Sequence, residues 1–232
     1  FLSSLDIYRL PYLELHHQNR WSILNHFDQH GGASQVPDGY RYFPHAVVVR
    51  NPLELYVSNY EYGWWKDNPQ VPEGKLYNKL PSFPDLSFDE YLLYQNLRLD
   101  SKMQRFNISN DSIIGFHTLD YIRTLFYNPE YVIRNISEDF IESEEYRKFL
   151  PNVTIIRNRN LNNGLYKFIT SKRYSKNKVN FILEEEKIFP KRGGRDKNDW
   201  SSYYSEDTKE RVFEKENLTF LLLNRLGVNY RQ

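Results

Sequence analysis

Apolar residues along this chain fall into a few short β-branched runs and several longer amphipathic stretches. His45-Ala-Val-Val-Val49 is the clearest run, with the composition of a central parallel strand covered on both faces. Val153-Thr-Ile-Ile156 is a second, and Tyr12-Leu-Glu-Leu-His-His17 reads as a further short strand. Immediately after the first run, Asn51 and Pro52 supply an N-cap and a first-turn proline, which predicts a helix to about Trp65. Ser87-Phe-Asp-Glu90 has the spacing of a capping box and opens a helix to about Leu99. Helices are also predicted around 118–127, over 138–149 behind Ser137, over 161–170, and from Ser205 to near Gly227. Residues 66–86, punctuated by Pro69, Pro72, Pro81 and Pro84, read as a long loop, as does the Gly-, Lys- and Arg-rich stretch 187–200.

Strands that alternate with helices predict an α/β fold with a mainly parallel sheet, and 232 residues fit one domain over 1–232. In such sheets ligands bind beyond the carboxyl ends of the strands. That rule directs attention to Arg50 and to the segment after His17.

Composition narrows the chemistry. The net charge is +1, so bulk attraction to nucleic acid or to an anionic membrane is not expected and any anion site is local. No stretch approaches the roughly 20 apolar residues of a membrane span. The absence of cysteine excludes a disulfide framework, a thiolate nucleophile and a cysteine-based metal site, and it favours a reducing, cytoplasmic setting. Against that stand five Asn-x-Ser/Thr triplets, at Asn107, Asn110, Asn135, Asn152 and Asn217, which keep a lumenal setting such as the Golgi open. Aromatic residues reach 16%, which suits half-wet pockets but names no ligand.

The most informative stretch is Val47-Val-Val-Arg50-Asn-Pro-Leu-Glu-Leu-Tyr-Val-Ser58. The strand delivers Arg50 to its carboxyl end, and the next helix directs its N-terminal amides to the same place. Ser58 lies about 9 Å along that helix from Pro52, at ~1.5 Å per residue. A phosphate at the helix flank would meet the Arg50 fork and the Ser58 hydroxyl together, and the planar fork of Arg matches phosphate oxygens. An equally good reading of the same residues pairs Arg50 with a carboxylate and leaves Ser58 on the surface.

The pattern Arg-Asn-Pro-x(5)-Ser after an apolar strand resembles the 3′-phosphate-binding motif of sulfotransferases that use 3′-phosphoadenosine 5′-phosphosulfate (PAPS), closest to the carbohydrate sulfotransferase branch. Three later segments are similar to the same family. Phe189-Pro-Lys-Arg-Gly-Gly-Arg resembles its basic, glycine-containing loop, and Tyr203-Tyr-Ser-Glu-Asp-Thr with Leu226-Gly-Val-Asn-Tyr230 resembles its ending. Asn158-Arg-Asn-Leu resembles its Glu-Asn-Leu segment, with Asn160 where an acid is usual. The resemblance implies a P-loop-type three-layer domain, PAPS as sulfuryl donor without a metal, and a hydroxyl acceptor, either a small molecule or an oligosaccharide. It implies that Arg50, Ser58, Lys191, Arg192 and Gly193 bind the donor. The family's opening strand and Lys-x-Gly-Thr-Thr-like phosphosulfate loop have no counterpart here. The expectation is therefore that the sequence is a fragment, the other reading being a degenerate relative.

Sulfuryl transfer to an alcohol needs a base for the acceptor proton, and histidine titrates in the right range. Of the six histidines, His30 heads His-Gly-Gly-Ala-Ser-Gln-Val, similar to a segment upstream of the Arg-Asn-Pro motif in some relatives, and His17 ends the first strand. These two are the candidate bases. Tyr60, Tyr62, Trp64 and Trp65 are equally an acceptor wall or core. The competing functions are a non-catalytic nucleotide- or glycan-binding relative, a nucleotide kinase, and an aromatic-rich nucleic-acid binder.

Overall fold

The computed structural model describes residues 32–36, 38–105, 114–184 and 199–230. In chain order, strand β1 (His45–Val49) is followed by α1 (Pro52–Tyr62), α2 (Trp64–Asp67), α3 (Glu73–Lys79) and α4 (Phe88–Arg105). Next come α5 (Phe116–Leu125), α6 (Pro129–Asn135), α7 (Glu138–Glu142) and strand β2 (Val153–Arg157). The remaining helices are α8 (Leu161–Ser171), α9 (Lys176–Val179), α10 (Phe181–Glu184), α11 (Glu206–Lys215) and α12 (Asn217–Arg225). The described residues are thus mostly helical with a two-stranded parallel sheet, an arrangement compatible with an α/β fold. No described helix is long and apolar enough to cross a membrane.

The chain divides into two compact units. One gathers the described residues of 1–49, 123–129 and 147–191, the other those of 50–122, 130–146 and 192–232. In the first, β1 and β2 pair in parallel from His45 opposite Val153 to Val49 opposite Arg157. The two predicted strands are therefore real and adjacent. Helix α8 covers Ile156, and a Cβ at Gly164 would collide with that side chain. Farther along, Ile169, Val179 and Ile182 form a small buried cluster with Leu165 and Phe181. Val49 is fully buried, yet Val48 is 46% exposed. Among the described residues β1 is thus not covered on both faces, and its β-branched run is equally at home on a half-buried pleated surface.

In the second unit, α1 ends earlier than predicted. Gly63 adopts φ +69°, and its N–H donates to the carbonyls of Asn59 and Tyr60, a left-handed C-cap that stops the helix before Trp64. The capping box at α4 is present as predicted. The Ser87 N–H donates to the Glu90 carboxylate at 2.8 Å and the Glu90 N–H donates back to Ser87 Oγ at 3.3 Å. Within the proline-rich 66–86 stretch the structure holds helix α3, where a loop was predicted. Pro72 precedes its first residue, and Leu76 and Leu80 are buried, so tertiary packing outweighs the local punctuation.

The aromatic excess finds its place here. Tyr60, Trp65, Phe83, Phe88, Tyr91 and Tyr94 form a chain of ring contacts with centroids 5.3–6.2 Å apart. Tyr203 and Tyr204 close on Phe88. Each buried ring removes a large apolar area from water, and Phe88 meets Tyr60, Tyr203 and Tyr204 edge to face. The helix predicted from Ser205 to Gly227 is two helices, broken at Glu216, whose side chain is drawn inward and fully buried.

Candidate anion site

Arg50 follows β1 directly in sequence and precedes the cap of α1. Asn51 caps that helix by accepting from the Leu53 N–H at 3.0 Å, and Pro52 carries no N–H. Residues 51–54 are all buried. Of the first amides of α1, that of Leu53 is taken by the cap and Pro52 has none. The expectation that these amides face an anion therefore fails for the first two, and the side chains of the same stretch come to the fore.

Those side chains are together. Arg50 Nη1 donates to Ser58 Oγ at 3.0 Å, two helical turns along α1. Arg50 Nε donates to the Glu54 carboxylate at 3.3 Å, one turn along the same face. The Arg50 side chain is 24% exposed and that of Glu54 only 4%. Arg50 is thus paired with a carboxylate, as one of the two readings of the sequence has it, and its guanidinium also touches Ser58. Glu54 is not among the residues named from the sequence, although its i+4 spacing from Arg50 in a capped helix is a legible signal. Of the five N–H donors of the guanidinium, those on Nη2 have no acceptor among the described residues.

The backbone of Arg50 is clamped as well. The Tyr121 hydroxyl, on α5, accepts from the Arg50 N–H at 2.9 Å and donates to the Arg50 carbonyl at 2.6 Å. Burial pushes that phenol well above its ordinary range, so it stays a neutral donor and acceptor.

Deeper in the same unit lies a network that the sequence did not announce. The Glu216 carboxylate is fully buried. Its Oε1 accepts from Tyr56 Oη at 2.6 Å and from the His117 N–H at 2.9 Å. Its Oε2 accepts from the Thr118 N–H and Thr118 Oγ1, both at 2.8 Å, and from Thr219 Oγ1 at 3.2 Å. His117 and Thr118 are the second and third residues of α5, so Glu216 caps that helix from a distance, where a negative charge also complements the helix dipole. Gly115 sits at the N-cap position and offers no side chain of its own. A Cβ there would fall inside the Glu216 carboxylate. The His117 ring packs edge-on against Tyr56 with centroids 4.3 Å apart. Burial lowers its pKa below the ordinary 6.5, with Glu216 and Asp120 opposing, and its buried Nε2 has no hydrogen-bond partner among the described residues. Burial, then the charge of Glu216, drives the Tyr56 phenol far above its usual range.

The other residues singled out from the sequence fare differently. His17, His30, Lys191, Arg192 and Gly193 lie outside the described residues, as does the predicted strand at 12–17. Of the aromatic quartet, Tyr60 and Trp65 stack in the core, Trp65 being buried, whereas Tyr62 and Trp64 are exposed. No group of three or more histidine, aspartate or glutamate side chains suited to a metal ion occurs among the described residues.

A separate open cleft of about 610 Å³ occurs in the first unit, lined by Asp38, Arg41, Tyr42 and Tyr127 among others. There the Arg41 guanidinium is held by Asp38 at 3.0 Å and lies over the Tyr127 ring.

Compared with known protein families, curated proteins and solved structures, the chain matches none.

Proposed function

We propose that Arg50 and Ser58 bind the 3′-phosphate of PAPS, and that the chain is a sulfotransferase domain of the P-loop-type three-layer α/β class. The observation that carries this reading is the 3.0 Å contact of Arg50 with Ser58 beside an Nη2 that has no acceptor among the described residues. Glu54 holds the Nε edge of the guanidinium, fixes its plane, and leaves the outer edge for a ligand. A phosphate bound there receives charge-assisted hydrogen bonds from the fork and a further bond from the serine hydroxyl.

In the proposed reaction the oxygen of an acceptor hydroxyl forms a bond to the sulfur of PAPS while the bond from sulfur to the 5′-phosphate oxygen breaks. The acceptor proton passes to a base, for which His30 and then His17 are the candidates. The products are a sulfate ester on a small molecule or oligosaccharide and adenosine 3′,5′-bisphosphate. Lys191, Arg192 and Gly193 would meet the same 3′-phosphate, by resemblance to the family's basic loop.

The test is donor binding by the full chain with radiolabelled PAPS. Tight binding is expected, weakened about 10-fold or more by Arg50→Ala, because a hydrogen bond to a charged group is worth roughly 1.5–3 kcal/mol. No binding, or equal binding by the variant, contradicts the reading. Binding without transfer by the full-length protein identifies the non-catalytic relative instead.

A further inference from the structure

We infer that Glu216 is a positioning residue for the Arg50–Ser58 anion site, acting through two helices rather than by touching a ligand. The inference rests on the 3′-phosphate reading given above. Its basis is one carboxylate bonded to the two elements that build that site. Through Tyr56 Oη, Glu216 grips α1, the helix that carries Glu54 and Ser58. Through the His117 and Thr118 amides and the Thr118 hydroxyl it grips the first turn of α5. Three to four residues farther along α5, the Tyr121 hydroxyl brackets the N–H and C=O of Arg50. The backbone from which the guanidinium springs is thus referenced to α5, the serine it must meet is referenced to α1, and Glu216 ties the two.

The arrangement is stiff because both Glu216 oxygens are held by several donors. Glu216 Oε1 takes two donors, and Oε2 takes the Thr118 N–H and a proton from the Thr118–Thr219 hydroxyl pair, whose oxygens are 2.6 Å apart. Tyr121 both donates and accepts. Glu216 stands at the break between α11 and α12, and its carboxylate lies inward there. Tight preorganisation matters for a two-point phosphate grip, since a shift of about 1 Å separates a bidentate contact from a loose one.

The experiment compares affinities for adenosine 3′,5′-bisphosphate and for AMP by calorimetry, in the full wild-type chain and in Glu216→Gln, Tyr121→Phe and the double variant. Glutamine keeps the shape but sets an NH2 against the donors that Glu216 receives. Each single variant is expected to lose about tenfold of the preference for the 3′-phosphate while AMP affinity changes less than about twofold. The double variant is expected to lose no more than either single one, because both act through one network. A general loss of structure would weaken both nucleotides alike and would make the losses multiply. Where Glu216→Gln fails to fold, Tyr56→Phe removes only the tether to α1 and is expected to show the same selective loss. A wild-type chain with no preference for the 3′-phosphate overturns the anion site itself. A wild-type preference that the folded variants retain in full overturns the role of Glu216 alone.

Discussion

Arg50 and Glu216 are the charged centres of two networks in the same unit, and they are satisfied in opposite ways. The Arg50 side chain keeps 24% of its surface exposed and has donors on Nη2 with no acceptor among the described residues. Glu216 has no exposed surface, and both its oxygens are saturated by donors from α1, α5 and α12. A charge with open valences at the surface is poised for a ligand. A charge whose valences are all filled inside the protein is framework. The difference teaches where each should fail: substitutions around Glu216 act first on stability, and those around Arg50 and Ser58 act first on binding.

The largest effect is expected from Glu216→Ala. It strands two backbone N–H groups, the Tyr56 hydroxyl and the Thr118 hydroxyl in a buried site, at roughly 1–3 kcal/mol for each group left unsatisfied. A loss of at least about 3 kcal/mol, read from the urea midpoint with an unchanged m-value, is the expected outcome. A loss below about 1 kcal/mol would show that the network is not the framework described. Gly115→Ala comes next. The added methyl meets the carboxylate and must push it from its donors, an overpacking cost of about 1–3 kcal/mol. Unchanged stability in that variant would break the account of why glycine stands at the N-cap of α5.

A smaller effect should appear with pH. Burial lowers the pKa of His117, and the charged groups around it are Glu216, Asp120, Lys102 and Arg98. The unfolded chain, with this histidine near its ordinary 6.5, then binds more protons than the folded one below that pH. The His117 contribution to stability is therefore full above about pH 6.5 and is lost as the pH falls below it. His117→Phe should flatten that part of the stability profile, and a profile of unchanged slope in the variant would contradict it. The smallest stability effect belongs to Ser58→Ala, at most about 0.5 kcal/mol because the side chain is only half-buried. Its weight falls on affinity for a 3′-phosphate, and the comparison fails if stability drops more than binding.

The two networks also differ in how far the sequence discloses them. Arg50, Asn51, Pro52 and Ser58 lie within one strand-to-helix junction, so local rules place them: a β-branched run, a capped start and the rise of a helix. Glu54 was equally within reach at one helical turn from Arg50. The capping box at Ser87 and the N-cap at Ser205 were legible for the same reason. Glu216 was not. Its partners Tyr56 and His117 are 160 and 99 residues away, and nothing local marks a glutamate inside a long helical pattern as the cap of another helix. The single helix predicted from Ser205 to Gly227 missed its break because that break follows from a tertiary contact. The loop predicted over 66–86 missed α3 likewise, since buried Leu76 and Leu80 outweigh the flanking prolines.

The most direct test of the central claim is the ratio of dissociation constants for AMP and adenosine 3′,5′-bisphosphate, measured by calorimetry on the full wild-type chain. The two ligands differ only in the phosphate that Arg50 and Ser58 are proposed to hold. Charge-assisted hydrogen bonds worth roughly 1.5–3 kcal/mol predict a preference of about 10- to 150-fold for the 3′-phosphate. A ratio of one would mean that the open edge of Arg50 serves some other partner and would contradict the assignment.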